Sequence, residues 1–534
     1  PLRNAVFHIH STVSIGAPAE KRHAPHRPRP HKDWYADAMP DAVDRRVFLG
    51  WDRPALFAAA DWLRDRYAQH RAWDLASVTI VTPGARAGRR LLEVLVDRAD
   101  SLLLTPPRIV TVGQLPELLY QPHAPLASDL QSTLAWLSAL RIVANAKLAA
   151  LVPHPPAADD LVGRLALAEE LQTICETLAA DDVTVAQAQA HVNVDQQPRW
   201  VAIGALLDEY LDVLAQRGLT DRHEARRRAM AERAGATVSD IVLLATADMG
   251  RMLRRMLAMV ADRVTALVHA PPAEADAFDE LGVMRVDTWR QRSIRIADDQ
   301  LRVVERPSDQ AHEALRVIDA ATHDDPSLSA DDITIGLGDD ALAPIVRRTL
   351  DAAGLPVRMP QVRRVSQTRP ALLLDAMARY AHSHRFDDFA ALLRHPDIDA
   401  WLDRSLGEQG RAGVKDWLSL IDQYITDHLQ GRLVGAWLGD DDTASNLKAV
   451  HDAIALLLDE HVGQARPLPE CATELAAMLA RVYDHHDLIR NRPNDHELIE
   501  SLRTVGEVLG SLRDLDGEDA LVPRCSLPEA AAIV

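Results

Sequence analysis

The feature that most constrains this chain is the order in which short apolar runs alternate with helical stretches. RRVFLG (45–50), SVTIVTPG (77–84) and PPRIVTVGQL (106–115) are short apolar runs that lead into a glycine. The first two are followed by WDRPALFAAADWLRDRYAQH and ARAGRRLLEVLVDRA, and the third leads into PELLY. In the first of these helices Leu56, Ala59, Ala60, Leu63 and Tyr67 fall on one face. Pro54 suits a first helical turn, and Asp52 is a candidate cap. Strands that alternate with helices predict a parallel sheet with right-handed crossovers.

The pattern then changes. From about 121 to 235 the strands stop, and SDLQSTLAWLSALRIVANAKLAALV, DLVGRLALAEELQTICETLAA and RWVAIGALLDEYLDVLAQRG read as helices. The sheet pattern returns with DIVLLATAD (240–248), a Met- and Arg-rich helix, and VTALVHAPP (264–272). A further stretch starts at LRVVERPS (301–308) and continues with the helix DQAHEALRVIDAAT, the strand DDITIGLGDD and the helix ALAPIVRRTLDAAGLP. From 370 onward the pattern is mostly helical, and no short fixed repeat is present. The predicted division is a flexible tail over 1–44, a first sheet lobe over 45–120 and 236–300, and a helical insertion over 121–235. The start of a second sheet lobe follows over 301–370, and a second helical insertion, cut short, over 371–534. The expected fold class is therefore α/β, with two parallel-sheet lobes that each carry a helical insertion.

Composition narrows the function classes. At roughly 150 residues per domain, 534 residues suit three or four domains. The chain is 47% hydrophobic and 26% charged, which excludes disorder of the whole. A net charge of -19 excludes a general nucleic-acid-binding surface, so any DNA contact must come from local clusters. Of the 59 basic residues only Lys21, Lys32, Lys147, Lys415 and Lys448 are lysine. Cys175, Cys471 and Cys525 are far apart with no CxxC pair, which argues against a zinc ribbon or a four-cysteine iron–sulfur site within this chain. Such sparse cysteines suit a reducing cytoplasm. No membrane-spanning run or signal-peptide pattern is present. The chain starts at Pro1 and stops at Val534 inside LPEAAAIV, which reads as a fresh helix and predicts a fragment of a longer protein.

A working nucleotide-binding lobe would end its first strand in GxxxxGK[ST], with backbone N–H groups and the Lys on phosphate and the hydroxyl on Mg²⁺. This chain has Gly50, Trp51, Asp52, Arg53 and Pro54, then Ala55, Leu56 and Phe57. The first glycine is there, but the second glycine, the Lys and the hydroxyl are not. Pro54 lacks an N–H, Asp52 would repel phosphate, and the planar guanidinium of Arg53 is a poor substitute for a lysine point charge. The acidic strand that should hold the metal is matched by Ile241 to Asp248, which lacks the paired acids. Asp248 falls two residues late and reads as the cap of MGRMLRRMLAMV. Two catalytic parts are missing together, so ATP hydrolysis is not expected.

The order of these segments resembles superfamily 1 DNA helicases and, more closely, the N-terminal half of AddB-type subunits of bacterial AddAB helicase–nucleases, distant relatives of RecB and RecC. The segments that carry the resemblance are FLGWDRPALFAAADWL, DLASVTIVTPGARAGRRLLEVL, PPRIVTVGQLPELLY, LLDEYLDVLAQRGLTDRHEA, SDIVLLATADMGRML and VTALVHAPPAEADAFDELG. In the second lobe they are DDITIGLGDDALAPIVRRTLDAAGLP and FDDFAALLRHPDIDAWL. It covers roughly residues 45 to 400, and no single motif within it is diagnostic. The resemblance implies two RecA-like (P-loop NTPase-like) lobes that have lost their motor chemistry. It also implies a partner, an AddA-like helicase–nuclease subunit, and as substrates DNA ends and single-stranded DNA in double-strand-break repair. It implies a C-terminal PD-(D/E)XK nuclease with Mg and a 4Fe-4S cluster, of which this sequence holds no motif. No cofactor and no metal site are expected in this chain.

In such a family the inactive core guides single-stranded DNA, which needs arginines along a rim and stacking platforms. The candidates are Arg86, Arg89 and Arg90 after the TPG turn, Arg251, Arg254 and Arg255 after ATADMG, and Arg363 and Arg364 in PQVRRVSQTRP. For each cluster the ordinary alternative is a solvated helix face. Gly84 and Gly113 could admit backbone to a phosphate or simply serve turns. Trp51 could fill the emptied pocket, stack a base or pack into the core. His23, His26 and His31 could bind metal, though they read first as part of a flexible tail, whereas His485, His486 and the run Asp440 to Asp442 lack metal-ligand spacing and read as solvated. The competing function is a protein-interaction scaffold for a partner helicase that hardly touches DNA.

Overall fold

The Val-, Ile- and Thr-built run at 78–82 and the apolar run at 241–244 form two inner strands of a parallel sheet. Strands buried on both faces need apolar residues at successive positions rather than alternate ones. Every residue of β5 (Val78–Thr82) is buried, as are Ile241 to Leu244 of β8 (Asp240–Leu244). The sheet is completed by β2 (Arg46–Phe48), β7 (Arg108–Thr111) and β9 (Val264–Val268), in the order β2-β9-β8-β5-β7, all parallel. The computed structural model describes residues 6–9, 45–143, 148–330, 333–357, 365–410, 417–434, 437–439, 442–458, 464–484, 488–517 and 521–534.

Helix α1 (Ala55–Tyr67) follows β2, and α2 (Ala85–Ala99) follows β5. Ala59, Ala60 and Leu63 of α1 and Leu91, Val94 and Leu95 of α2 pack on Val78, Ile80, Val242, Leu244 and Leu267. Strand alternation sends Val81, Ile241, Leu243 and Ala266 to the other face, where they are buried as well. The helix Arg251–Ala258 buries Met252, Leu253, Met256 and Leu257. Gly88 lets α2 lie close on the sheet, because a Cβ there would come within 2.7 Å of Ile109 Cγ2. A small three-stranded sheet of β3 (Ala68–Gln69), β4 (Ala72–Asp74) and β6 (Leu103–Thr105) sits beside these elements.

The later βα stretch differs from expectation. It forms the helix Pro307–Asp324, strand β10 (Thr334–Leu337) and the helix Ala343–Ala352 around Ala311, Ile318, Val346 and Leu350. LRVV at 301–304 forms no strand, and Leu301 and Val303 are 56% and 97% exposed. An apolar run becomes a parallel strand only where a neighbour accepts its backbone hydrogen bonds, and none lies beside it among the described residues. β10 instead pairs with β1 (Val6–Ile9), a strand inside the segment read as a tail. The fold shown is thus α/β with one five-stranded parallel sheet and many helices; no second large parallel sheet is present among the described residues.

The chain divides into two compact units, Pro1–Gln121 with Arg226–Gln361, and Pro122–Ala225 with Val362–Val534. The two helical stretches, separate in the sequence reading, thus belong to one unit with a continuous buried core from Ala127 to Ala531. Helix α3 (Asp129–Ile142) explains why. It buries Ser132, Leu134, Ala135, Trp136, Leu137, Ala139 and Leu140, so it needs neighbours on several sides. Its Trp136 ring stacks on Tyr210 at 4.4 Å. Ser128 closes a capping box with Gln131, which sets the helix start. The helix Leu527–Ile533 packs against the helix Leu161–Ala180, joining the two stretches. No helix among the described residues is long and apolar enough to cross a membrane.

Candidate functional site

All five strands of the large sheet run the same way, so the turns after them share one edge. In open parallel sheets ligands bind outside the carboxyl ends of the strands. At this edge lie the turn Gly50 to Pro54 after β2, the turn at Pro83 and Gly84 after β5, the turn after β8 at Ala245, and His269 after β9.

The turn after β2 is closed by its own contacts. The Gly50 N–H donates to the Ala270 carbonyl at 3.0 Å. Gly50 has φ +76°, and a Cβ there would lie 2.5 Å from Asp52 Oδ1, so this residue must be glycine for the turn to keep its shape. Trp51 Nε1 donates to the His269 carbonyl at 2.8 Å, and the His269 ring nitrogen lies 3.2 Å from the Arg53 carbonyl. Arg53 Nη1 binds Asp61 Oδ2 at 2.8 Å, and Arg98 holds the other oxygen of the same carboxylate. The Arg98 guanidinium also lies over the Phe57 ring at 5.4 Å. Pro54 precedes α1, and its carbonyl accepts from Phe57 and Ala58 N–H groups. The Gly50 N–H, the Trp51 indole and the Arg53 guanidinium are thus engaged within the protein.

Two expectations need correction here. Trp51 does not pack into the core; it is 50% exposed and anchored only through its indole N–H. Asp52 makes no cap bond either, since Pro54 holds the N-cap position of α1.

The turn after β8 carries no paired acids. Ala245 adopts φ +51°, a left-handed conformation unusual for a residue with a Cβ. Its N–H still donates to the Leu267 carbonyl, and the Ala247 carbonyl accepts from Met284 N–H. Thr246 is buried and Asp248 is exposed. Asp248 is not the cap: the helix starts at Arg251 with Gly250 as N-cap, because the chain turns at Ala245 before the helix can begin. Among the described residues no three or more His, Cys, Asp or Glu side chains come together as a metal site.

The arginine candidates separate. Arg86, Arg89 and Arg90 all lie exposed at the start of α2, whose first turn has no acidic residue. Arg90 pairs with Glu93 at 2.7 Å, whereas Arg86 and Arg89 make no ion pair among the described residues. Arg254 turns inward to the buried carboxylate of Asp279, which also accepts from the N–H groups of Leu281 and Val283 at 3.0 and 2.9 Å. That arginine fastens the 279–283 turn. Arg251 is half-buried and Arg255 exposed on the same helix, both already engaged with neighbours. Arg363 and Arg364 lie outside the described residues, as do His23, His26, His31, His485, His486, Asp440 and Asp441.

Residues that pattern did not reveal are Asp61, Arg98, His269 and Asp279. Each is an ordinary surface or turn residue in the sequence, and only the fold brings it to the edge. No protein-family model matches this chain, and no curated protein matches it.

Proposed function

We propose that this chain is the non-hydrolysing, helicase-like region of an AddB-type subunit of a DNA double-strand-break repair helicase–nuclease. On this reading the five-stranded sheet is the first RecA-like lobe, and the β10 stretch begins the second. The region guides single-stranded DNA toward a PD-(D/E)XK exonuclease domain, with Mg and an iron–sulfur cluster, that lies outside this sequence, and it works with an AddA-like partner in the cytoplasm. The observation that carries the reading is the turn after β2. It occupies the phosphate-binding position of a parallel α/β lobe, yet Arg53 is held by Asp61 and the Gly50 N–H by Ala270. A motor lobe retained without its motor chemistry suits a scanning or channel role. The DNA rim is assigned to Arg86 and Arg89, the two cations of their cluster without carboxylate partners among the described residues.

Salt-dependent binding tests this. Fluorescence anisotropy with a labelled single strand should show affinity falling as salt rises, with no ATP hydrolysis above background. Replacing Arg86 and Arg89 together by Ala should lower the slope of log K against log salt by about 1.4, two phosphate contacts at ~0.7 each. An unchanged slope removes these residues from the interface, and DNA-stimulated ATP turnover refutes the inactive lobe. The net charge of -19 and the inward pairing of Arg254 favour a second reading, a scaffold that binds a partner helicase with little DNA contact. That reading predicts no salt-dependent strand binding at all.

A further inference from the structure

The structure brings together two cysteines that lie 54 positions apart. The short antiparallel ribbon of β11 (Arg466–Pro467) and β12 (Arg524–Cys525) places Cys525 opposite Arg466. The Leu468 N–H donates to the Pro523 carbonyl at 3.1 Å, so the helix Leu468–Tyr483 starts directly from this ribbon. Cys471 lies in the first turn of that helix and faces back onto the ribbon. Its Sγ–H donates to the Cys525 carbonyl at 3.4 Å, which sets the two cysteines side by side. Both side chains are buried, at 0% and 1% exposure, in the core of the helical unit. Cys175, the third cysteine, is half-buried elsewhere in the same unit.

We propose that Cys471 and Cys525 are an oxidisable dithiol, a modification site at which a hydroperoxide forms a disulfide that staples the 524–533 segment to the helix Leu468–Tyr483. The neighbouring Cys525 side chain, helped by Arg466, holds the Cys471 thiol below its ordinary range, whereas the same proximity and burial push Cys525 up. Cys471 is therefore the first nucleophile. Its thiolate attacks one peroxide oxygen, which breaks the O–O bond and yields a sulfenic acid and water. The Cys525 sulfur then attacks the sulfenic sulfur, the S–S bond forms, and a second water leaves with the Cys525 proton. Two thiols have lost two protons and two electrons, and one peroxide has become two waters. β12 is only two residues long and leads into a seven-residue helix, so this segment is an economical place for the local opening that admits a small oxidant.

The test treats the intact chain with hydrogen peroxide at a dose that oxidises Cys175. The protein is then unfolded, its free thiols are alkylated, and it is digested without reduction for mass spectrometry. The expected product is a peptide pair joined through Cys471 and Cys525 that separates on adding dithiothreitol. The oxidised protein should also melt at a higher temperature than the reduced one, a gain absent from C525S. Recovery of Cys471 and Cys525 as alkylated thiols at that dose overturns the proposal, and so does a cross-link through Cys175. The peptide map needs no variant, so the result stands even if C525S does not fold.

Discussion

Removing the Asp61 carboxylate tests the closed turn most directly. Asp61 binds two arginines at once, Arg53 at 2.8 Å and Arg98 on its other oxygen. The side chains are partly exposed, 51% for Arg53, 32% for Arg98 and 28% for Asp61, so each pair counts as a screened surface pair worth ~0.2–1 kcal/mol. Asp61→Ala loses both pairs and leaves two cations facing each other, for about 1–2 kcal/mol in all. Arg53→Ala loses only the more exposed pair, about 0.5 kcal/mol or less. Arg98→Ala loses one pair and the stacking over Phe57, which adds ~0.5–1 kcal/mol, so it should approach Asp61→Ala. Urea denaturation with an unchanged m-value measures all three. In 1 M NaCl, where the Debye length is about 3 Å, the Asp61→Ala deficit should fall by at least half. An Arg53→Ala cost equal to that of Asp61→Ala, or a deficit indifferent to salt, refutes the shared-carboxylate clasp. The same variant probes function: with Arg53 released, the chain should still fail to bind a fluorescent ATP analogue with Mg²⁺. Gain of binding would make the clasp a latch over a live pocket.

Other perturbations reach the rest of the fold. Ala245→Gly relieves a left-handed residue, a cost of ~1–2 kcal/mol, but frees the unfolded chain by ~0.4–1, so the urea midpoint should stay level or rise. A clear fall would mean that the Ala245 methyl packs usefully. Gly88→Ala forces a Cβ against Ile109 and should destabilise by up to about 2 kcal/mol, overpacking of ~1–3 offset by better helix propensity. Asp397 is 1% exposed, binds the half-exposed Arg369 and accepts from the buried Tyr483 hydroxyl at 2.7 Å, so Asp397→Ala should cost ~1–3 kcal/mol, chiefly by removing the acceptor of that hydroxyl. Tyr483→Phe, which leaves Arg369 on the carboxylate, should cost clearly less. Burial holds His451 below the ordinary histidine value, among Tyr380, Phe389 and Trp437 and near Asp452, Lys448 and His384. The unfolded chain then takes up the proton first as pH falls through about 6.5, so stability is lost below that pH until the folded pKa is passed. His451→Gln should flatten this loss between pH 7 and 5, and an unchanged slope would place it on other groups.

The sequence made the parallel sheet legible for a physical reason. Val78 to Thr82 and Ile241 to Leu244 are covered on both faces, and double burial writes itself as an unbroken apolar run. The same signal misleads at Leu301 to Val304, because the run records what a strand would bury but not whether a neighbour is there to bond it. The absence of a Lys and a hydroxyl from Gly50 to Phe57 was equally legible, since these are matters of residue type. The clasp was not, because Asp61 follows Arg53 by eight positions and Arg98 comes 37 after Asp61, separations that no local pattern links. The union of two helical stretches was hidden for a similar reason. Periodicity identifies a buried face without naming what covers it, and Leu161 to Ala180 and Leu527 to Ile533 find each other only in the fold. Asp248 shows the limit of capping rules, since a turn at Ala245 hands the cap to Gly250.

On the proposed reading, the edge of the sheet belongs to a nucleotide lobe that changed partners without changing its backbone plan. A phosphate cradle works because N–H donors and a cation point into open space. At the first strand–helix turn three such groups are engaged within the protein: the Gly50 N–H with Ala270, the Trp51 indole with His269, and Arg53 with Asp61. At the second, α2 begins after Gly84 with no acidic residue in its first turn, and Arg86 and Arg89 are exposed with no ion pair among the described residues. Positive charge at a helix start is unfavourable to the helix itself, by ~0.3–1 kcal/mol per charge. An arrangement that costs stability and gains nothing within the fold is accounted for if a polyanion completes it. On the proposed reading that polyanion is the DNA backbone, and anion affinity has moved from the first turn to the second. Replacing Arg86 and Arg89 by Glu should therefore raise the melting temperature of the free protein while abolishing strand binding. A fall in both would show that the arginines serve the fold instead.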